Sequence, residues 1–429
     1  MTDTNRKEIK EKIEKNYKFN SRMSILDGAF YTLGMGFIST GTILPLFVRQ
    51  LTKSNFLISM VTAILMFSTT VPQLLSAKWT ADLDKKKKKV LSFGLFQRLP
   101  WLGLAILTFI LGAKYKSWLL IGFFLLWTIH NLFGGLVGPV WFDLVAKVIP
   151  QDRRGKFFGY RTFISSVLEV LGALGAGYII NQFDFRVSFT ILFFLTFLAM
   201  MGSYIFLALT KEPAYPVDSK TDNFKDYFTQ LFLILKEKIN YRNFLIGGIL
   251  IQFIGMANGL FTVAGIERLG LEIDKADNIV GAFTVILIVS KSLTNIFWGY
   301  FGDKYGHKLV ILIASIFNAV GVLVAFFAQK LIFFYLVFVL TGIALGGTSV
   351  SFMTIIADFA SSPEERTIYV GLTNAVVGIV VTIISLLGGF LADILNYKVV
   401  FGISFLMISL GVIFLFLKVS DPRISNEGN

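Results

Sequence analysis

The chain of 429 residues contains no cysteine and only two histidines. A protein without cysteine has no disulfide framework and no thiolate metal site, and two histidines leave little for a histidine-ligated metal. The sequence also lacks the phosphate-binding pattern G-x-x-x-x-G-K-[ST]. We therefore expect no metal, no nucleotide site and no other cofactor.

Charged residues are also scarce, at 16% of the chain against 55% hydrophobic residues, and the mean hydropathy is +0.71. Soluble globular proteins do not reach this composition, so we predict a polytopic membrane protein surrounded by the lipid bilayer. A net charge of +13 would suggest a nucleic-acid partner in a soluble protein. In a membrane protein the Lys and Arg of cytoplasmic loops account for this charge, and we expect no nucleic-acid binding.

Twelve apolar runs are long enough to cross a bilayer as helices. They lie at about residues 23–49, 54–77, 90–112, 117–148, 156–181, 186–209, 243–267, 277–302, 308–328, 331–358, 367–395 and 398–418. The two tails and the even-numbered connections carry 29 Lys and Arg residues, and the odd-numbered connections carry 9. This excess predicts that both termini are cytoplasmic, in the plasma membrane of a prokaryote.

The runs divide the chain into five regions. These are an N-terminal tail at 1–22, a six-helix half at 23–209, a linker at 210–242, a second six-helix half at 243–418 and a C-terminal tail at 419–429. Residues 1–18 have no apolar core, so we expect no cleaved signal peptide. Residues 5–19 alternate Lys and Glu, which fits a charged surface helix or a solvated tail, and we favour the tail. The helical spacing of apolar residues from Phe224 to Leu235 predicts an amphipathic helix in the linker.

The two halves repeat each other in sequence. Four pairs of matching positions show the repeat, with offsets of 221 residues for the first two pairs and 212 for the others: Gly34 with Gly255, Asp82 with Asp303, Arg154 with Arg366, and Gly159 with Gly371. Duplicated halves are typical of membrane transporters that bind their substrate between the halves, near the middle of the bilayer.

The connection between the eighth and ninth runs reads Gly299-Tyr-Phe-Gly-Asp303-Lys304-Tyr-Gly306-His-Lys308. Gly299 and Asp303 share one face of a helix end, where the glycine would admit a close neighbour. Asp303 is badly placed for the dipole of its own helix, so we expect it to serve another helix N-terminus or an arginine. Gly306 is suited to the positive φ of a tight turn.

This spacing, G-x-x-x-D-[RK]-x-G-x-[RK], resembles the signature loop of the major facilitator superfamily, whose members are twelve-helix secondary transporters. The resemblance implies an all-α fold of two pseudo-symmetric six-helix halves, with a cytoplasmic gate built from the signature loops and the connections after spans 4 and 10. The implied gate residues are Gly299, Asp303, Lys304, Gly306, Lys308, Asp82, Arg154, Gly159, Arg366 and Gly371. For the arginines, helix capping is the alternative to a gating role.

The resemblance also implies that spans 1, 4, 7 and 10 line the cavity. Their polar residues within the apolar core include Tyr31, His130, Asn131, Gln252 and Asn258. An amide in hydrocarbon needs a partner, so the amides should face the interior, towards either substrate or another helix. His130 fits a titrating group or a structural hydrogen-bonding group. Superfamily members that exchange drugs for protons often carry an arginine in span 4 and a Gly-Pro-rich pattern in span 5. Here span 4 has no arginine and span 5 has no proline, so the resemblance argues against drug efflux.

Two charges lie deep within predicted spans. Glu169 in span 5 and Lys291 in span 8 are each roughly 20 Å along their helices. Spans 5 and 8 pack together in the superfamily, and this packing would bring Glu169 and Lys291 together as an ion pair. We predict that Glu169 exchanges a proton during the cycle, with Arg98 of span 3 as a further influence on its charge. A permanent ion pair is the alternative.

Asp27 is the fourth residue assigned to charge coupling. It is placed within about one turn of the cytoplasmic start of helix 1, where a helix dipole would stabilise its charge without any role in transport.

The predicted function is secondary active transport of a small organic solute by alternating access, coupled to protons, by a monomer. A polytopic membrane enzyme is the competing class, but we find no convergent nucleophile and base to support it. A lipid or amphiphile flippase of the same fold is a further alternative. The direction of transport stays open.

Overall fold

The computed structural model describes residues 3–80, 83–150, 153–214, 233–271, 277–360 and 363–423, and every regular element in these ranges is a helix. The first half contains α1 (Asp3–Phe37), α2 (Ile43–Leu51), α3 (Asn55–Thr80), α4 (Lys87–Leu111), α5 (Lys116–Val148), α6 (Arg154–Gln182) and α7 (Phe185–Leu209). The second half contains α8 (Ile239–Ile251), a 3₁₀ turn (Gln252–Ile254), α9 (Gly255–Asn258), α10 (Phe261–Arg268), α11 (Asp277–Tyr305), α12 (His307–Phe327), α13 (Leu331–Asp358), α14 (Pro363–Ile394) and α15 (Tyr397–Lys418).

Each of the twelve apolar runs falls on a helix or on a broken series of helices. Among the described residues, nine helices are long and apolar enough to cross a bilayer. The broken run Ile239–Asn258 plus Phe261–Arg268, bent by 42°, makes a tenth if it is one span. The prediction of an all-α polytopic membrane protein is confirmed. We call the side that was predicted to be cytoplasmic the inner side, and the opposite side the outer side.

The N-terminal segment differs from our expectation. We favoured a solvated tail for residues 5–19, but α1 begins at Asp3 and continues to Phe37. Lys and Glu are strong helix formers, and a helix that is already nucleated by an apolar span extends easily into such a sequence. The segment is therefore helical and not an irregular tail, while most side chains of residues 11–19 are exposed.

The helices form two compact units. The first contains residues 1–39 and 67–221, and the second contains residues 40–66 and 222–429. In the first unit, α1 packs on α6 and α7, and α4 packs on α5 and α7. In the second unit the corresponding helices pair in the same way, with α9 on α14, α8 on α15, and α12 on α13 and α15. The sequence repeat is thus also a repeat of packing within each unit. The five-region division of the chain stays a prediction, and most of the predicted linker helix lies at residues 215–232, outside the described residues.

Both units close their inner ends with the same hydrogen bonds. The side-chain amide of Asn20 donates a 3.0 Å hydrogen bond to the carbonyl oxygen of Lys211, and its Oδ1 accepts a 2.9 Å bond from the N–H of Lys211. Asn240 exchanges the same two bonds with the backbone of Ser420, at 3.0 and 2.9 Å. Each pair of bonds ties the start of the first span of one half to the segment that follows the last span of the same half.

The next residue in each unit is an acid followed by proline, and its carboxylate caps another helix. Glu212 accepts bonds of 2.8 and 2.9 Å from the backbone N–H groups of Lys86 and Lys87 at the start of α4. Asp421 accepts one of 3.2 Å from the N–H of Lys308 at the start of α12. A carboxylate at a helix N-terminus satisfies an orphan donor and favours the dipole. Lys87 and Lys308 are 221 residues apart, so that offset extends into the third helix of each half.

Candidate functional site

Asp27 lies well inside α1 and is buried, with 4% of its surface exposed. Its Oδ1 accepts a 2.7 Å hydrogen bond from the Ser203 hydroxyl, and its Oδ2 accepts a 3.2 Å bond from the indole of Trp141. The guanidinium of Arg161 lies 3.6 Å from Oδ2. Burying a carboxylate is costly unless it is paired, and α5, α6 and α7 supply the partners.

This position corrects the sequence interpretation of Asp27. We expected it within one turn of the start of its helix, but α1 begins at Asp3. The macrodipole acts over the first turn only, so it gives Asp27 little stabilisation. Neighbouring helices hold this carboxylate instead.

Arg98 of α4 reaches the same carboxylate through a hydroxyl. The residue is 3% exposed, and its Nη2 donates a 3.0 Å bond to the Ser203 hydroxyl, which in turn donates to Asp27. Its Nε donates to the carbonyl oxygen of Met200 and its Nη1 to that of Gly94, both at 2.8 Å. Because backbone carbonyls occupy the rest of the guanidinium, Arg98 has one fixed orientation.

Two glycines make room for the arginines. A Cβ at Gly28 would lie 2.7 Å from the guanidinium carbon of Arg161, and a Cβ at Gly94 would lie 2.8 Å from Nη1 of Arg98. Arg161 also donates a 3.1 Å bond to the carbonyl oxygen of Ser24, and its guanidinium carbon lies 4.4 Å from the ring centroid of Trp141. The arginines therefore lie directly against helix backbones, and larger residues at these glycines would displace them.

We call Asp27, Arg98, Arg161, Trp141 and Ser203 the Asp27 network. It contains one carboxylate and two guanidinium groups, so its side chains carry an excess positive charge. Its members come from five helices of the first unit, α1, α4, α5, α6 and α7. A change in the charge of Asp27 would thus act on five helices together.

The network continues into two of the predicted cavity residues. The side-chain amide of Gln97 donates a 3.1 Å bond to the hydroxyl of Tyr31. The backbone carbonyl oxygen of Gln97 lies 2.7 Å from Nδ1 of His130. That nitrogen also lies 3.0 Å from the indole nitrogen of Trp101, and the imidazole stacks on Trp127 with an interplanar angle of 12°. His130 is 3% exposed, so its surroundings are those of a structural hydrogen-bonding group.

A sequence profile described as Major Facilitator Superfamily matches residues 28–291 and again residues 254–429. The chain belongs to this superfamily. Multidrug resistance protein MdtG of Citrobacter koseri is 28% identical over 208 residues, which are 48% of each chain. The chain thus spans about half the length of the curated relative it matches.

Solved structures of the superfamily share the fold. A D-xylose-proton symporter superposes with a TM-score of 0.72 at 15% identity, over 95% of this chain and 99% of its own. The nucleoside transporter NupG superposes with a TM-score of 0.66 at 14% identity, over 92% and 98%. At these identities the likeness establishes the major facilitator fold alone.

This major facilitator chain interrupts the first span of each half at a matching position. The break between α1 and α2 begins at Ile38, and the break between α9 and α10 lies at Gly259, which is 221 residues further on. Interrupted spans at corresponding positions are the usual marks of a transport site. Beside the second break, Oδ1 of Asn258 is buried and accepts no hydrogen bond from any described residue.

The other predicted cavity residues differ in their surroundings. Gln252 is half-buried and forms part of the 3₁₀ turn before the second break. Asn131 is 3% exposed, and its amide donates a 2.7 Å bond to the carbonyl oxygen of Trp127 on its own helix. Of the three amides, Asn258 is therefore the one with a buried polar atom left for a ligand.

Glu169 and Lys291 are both half-buried, within α6 and α11. They belong to different units, and the pairing between them stays a prediction. The carbonyl oxygen of Glu169 lies where a Cβ at Gly36 would be, and the carbonyl oxygen of Leu33 lies where a Cβ at Gly172 would be. Small residues thus bring α1 and α6 into backbone contact at the depth of Glu169.

In the predicted gate, Asp303 lies 3.7 Å from Nε2 of His307 and also near an arginine. It is 77% exposed and lies 3.8 Å from Arg423 of the C-terminal tail, which also donates a 2.8 Å bond to Asp358. The expectation that Asp303 serves an arginine or another helix is consistent with this contact. Gly306 has a φ of 91°, as expected for a tight turn. Lys304 lies 5.1 Å from the ring of Tyr305.

The remaining gate residues show local contacts or lie outside the described side chains. Arg154 donates to the carbonyl oxygens of Ala146 and Ile149 at the end of α5, which is helix capping. A Cβ at Gly159 or Gly299 would meet no described atom within 4 Å, so no described residue is the close neighbour expected at Gly299. Gly371 is half-buried in α14. Outside the described side chains lie Asp82 and Arg366.

Three members of the Asp27 network escaped the sequence analysis. Arg161 was counted among the inner-loop cations, although it lies within α6. Its position inside an apolar run was the signal that would have identified it. Ser203 and Trp141 are neutral and frequent residue types in membrane helices, and their sequence context gives no such signal.

Proposed function

We propose that the chain is a proton-coupled secondary active transporter of a small organic solute, working by alternating access. The observation that carries the proposal is the Asp27 network, a buried ionisable carboxylate held by two arginines inside a major facilitator unit. Transporters retain intramembrane charges at a free-energy cost because those charges serve ion or substrate pathways. We take Asp27 as the first candidate for the proton-binding group.

The coupling step follows from the contacts. In this proposal, proton binding at Asp27 alternates with the ion pair to Arg161, because neutralising the carboxylate removes its attraction for the guanidinium. Arg161 is the movable partner, because its side chain is 21% exposed whereas Arg98 is fixed by three acceptors. Protonation would remove the ion pair between Arg161 and Asp27 and leave only the bond from Arg161 to the carbonyl oxygen of Ser24, which would weaken the contact between α1 and α6.

A small organic solute fits both the relatives and the site. The names of the similar proteins refer to multiple drugs, D-xylose with protons, and nucleosides. In this chain the unpaired oxygen of Asn258 and the neighbouring Gln252 offer hydrogen bonds near a helix break. The fourth span, α5, lacks an arginine and the fifth span, α6, lacks proline, so we favour a polar solute over a drug.

A two-step experiment tests the function. Purified protein is screened by thermal shift against pooled metabolites and drugs, because a ligand of the native state raises the unfolding midpoint. Hits are then tested for accumulation into liposomes under an imposed pH gradient. Accumulation that collapses with a protonophore supports the proposal. Hits without accumulation point to an enzyme or a receptor, and movement of labelled lipid between leaflets points to a flippase.

Glu169 is the second candidate for the proton-binding group, with Lys291 as its partner. Neither has a charged counterpart in the repeat, since the matching positions are Val381 and Thr70. Glu169→Gln should abolish pH-driven accumulation and leave counterflow, whereas Lys291→Ala should weaken both. If Glu169→Gln still accumulates substrate, this carboxylate is not the carrier.

The inner gate belongs to the same proposal. We assign Asp303 a role in closing the cytoplasmic side. In that role its carboxylate leaves Arg423 and pairs with a different residue or helix N-terminus. Asp303→Asn should raise labelling of engineered cysteines from the inner side. Labelling of single cysteines placed in the two tails, in sealed vesicles of known orientation, tests the proposal that both termini are cytoplasmic.

A further inference from the structure

Arg49 ties the outer end of the first span to helices of the second half. It lies near the end of α2, is 4% exposed and forms a 3.2 Å ion pair with Glu267 of α10. It also donates to the amide oxygen of Asn55 and, at 3.0 Å, to the hydroxyl of Tyr397 at the start of α15. That hydroxyl lies 2.8 Å from both Glu267 and Asn55. Glu267 is thus paired although its side chain is 43% exposed.

Asp393 ties the second span to another helix of the second half, α14. It lies at the C-terminal end of α14 but caps the N-terminus of α3. Its carboxylate accepts bonds of 2.6 Å from the N–H of Asn55, 3.0 Å from the N–H of Phe56 and 2.8 Å from the Ser54 hydroxyl. The charge is unfavourable for the dipole of α14 and favourable for that of α3, so the cap stabilises the contact between the two helices.

Small residues complete the contact. A Cβ at Gly389, one turn before the capping aspartate, would lie 2.6 Å from the carbonyl oxygen of Asn55. The hydroxyls of Thr42 and Thr284 lie 2.5 Å apart, and both residues are fully buried. Backbones and hydroxyls therefore seal the region beneath the charged residues.

We propose that Arg49, Asn55, Glu267, Asp393 and Tyr397 form an outer latch, which must release to open the outer side of the transporter. The proposal rests on the proposed function. The acidic partners favour release, since Glu267 is 43% exposed and Asp393 is exposed, so both carboxylates rehydrate readily when the contacts separate.

The repeat supports a functional role for these residues. At the matching positions of the other half, Arg49 corresponds to Gly270 and Glu267 to Leu46 with the 221-residue offset, and Asp393 corresponds to the neutral Asn181 with the 212-residue offset. The duplicated fold is built without these charges at the matching positions. An ion pair and a charged cap that occur once are therefore not general requirements of the fold.

Labelling of a buried cysteine tests the latch. The chain has no cysteine, so Thr42→Cys supplies a single thiol that an impermeant maleimide reaches from outside only when the latch opens. We expect Asp393→Ala to speed this labelling roughly two- to thirtyfold, the range that loss of a helix cap implies for an equilibrium constant. The readout needs no known substrate, so it is independent of the transport assay.

Asp184→Ala is the matched control. Asp184 also caps a helix on the outer side, but it caps its own helix, through the N–H of Val187 at 2.9 Å. It should leave labelling unchanged. If Asp393→Ala protein is not recovered, Tyr397→Phe removes the shared hydroxyl and keeps the ring, and it should give a smaller acceleration.

A disulfide provides the converse test. The hydroxyl contact suits a disulfide in Thr42→Cys/Thr284→Cys, and oxidation should hold the outer side closed until a reductant is added. Equal labelling in Asp393→Ala, Tyr397→Phe and the parent would overturn the latch, and so would full transport by the oxidised double variant. Faster labelling without any transport would leave the latch standing and refute the transport function.

Discussion

The first unit buries charged side chains at positions where the second unit has neutral residues. The matched pairs are Asp27 with Gly248, Arg98 with Ala319, and Arg161 with Thr373. The two units are otherwise alike, because corresponding helices pair in the same way and the same asparagine and carboxylate devices close their inner ends. At the position that matches Arg161, the hydroxyl of Thr373 lies 2.8 Å from the hydroxyl of Tyr241.

This difference separates what the fold requires from what the function requires. The second unit packs its helices with a hydroxyl pair where the first unit uses an ion pair, so the fold alone does not need Asp27 or Arg161. A buried ion pair adds little net stability compared with well-packed neutral residues. We therefore assign the charges of the first unit to the proposed transport function and not to the shared fold.

The largest expected effect comes from removing Arg98. Arg98→Leu should lower the free energy of unfolding by about 4 kcal/mol, because Asp27 loses a counter-charge and buried carbonyl oxygens lose their donors. Chemical denaturation in detergent measures the change. Arg153→Leu is the control: Arg153 pairs with Glu14 at 3.2 Å on the surface, and its loss should cost under about 1 kcal/mol. Equal losses would contradict a buried network.

The ion pair itself gives the next effect. Asp27→Asn and Arg161→Gln should each cost about 3 kcal/mol, because each leaves a buried charge with fewer partners. The double variant resembles the neutral second unit and should cost less than the sum of the two, with a coupling of about 2 kcal/mol. The same denaturation assay provides the cycle. Simple additivity would mean that Asp27 and Arg161 do not interact.

Helix packing gives a smaller effect. Gly36 corresponds to Ala257 in the second unit. The matching helices of the second unit, α9 and α14, approach each other closely at Gly388 and Met256, so an alanine is tolerated at position 257. Gly36→Ala should cost about 1–3 kcal/mol, since a backbone oxygen occupies the space. Gly159→Ala is the control and should stabilise by about 0.5 kcal/mol. Thermal unfolding distinguishes them, and a neutral Gly36→Ala would show that α1 and α6 are not in close contact.

The smallest effect should be equal in the two units. Glu212→Ala and Asp421→Ala each remove a carboxylate that caps a neighbouring helix, and each should cost about 1 kcal/mol. Thermal shifts that agree between the variants would show that the caps belong to the shared fold. A loss confined to one variant would show that the two units use this device differently.

The fold could be predicted from the sequence because its main cause is local. An apolar run of spanning length must form a helix in lipid, and Gly306 takes its positive φ for the reason that its type suggests. The N-terminal extension of α1 was missed because Lys and Glu favour both solvation and helix formation. Their pattern does not decide between the two.

The Asp27 network could not be predicted as a whole because its contacts are distant in sequence. Ser203 lies 176 residues from Asp27 and Trp141 lies 114 residues from it. Local periodicity identifies a buried charge but not its partner. The offsets of the repeat locate matching positions between halves, whereas contacts within a half depend on helix packing.

The most direct test of the central claim compares two transport modes in Asp27→Asn. Once a substrate is identified, reconstituted protein is assayed for accumulation under a pH gradient and for counterflow without one. A carrier that couples protons through Asp27 predicts that the variant loses accumulation and retains counterflow, while Arg153→Leu retains both. Accumulation by Asp27→Asn at the level of the unmodified protein would contradict the account.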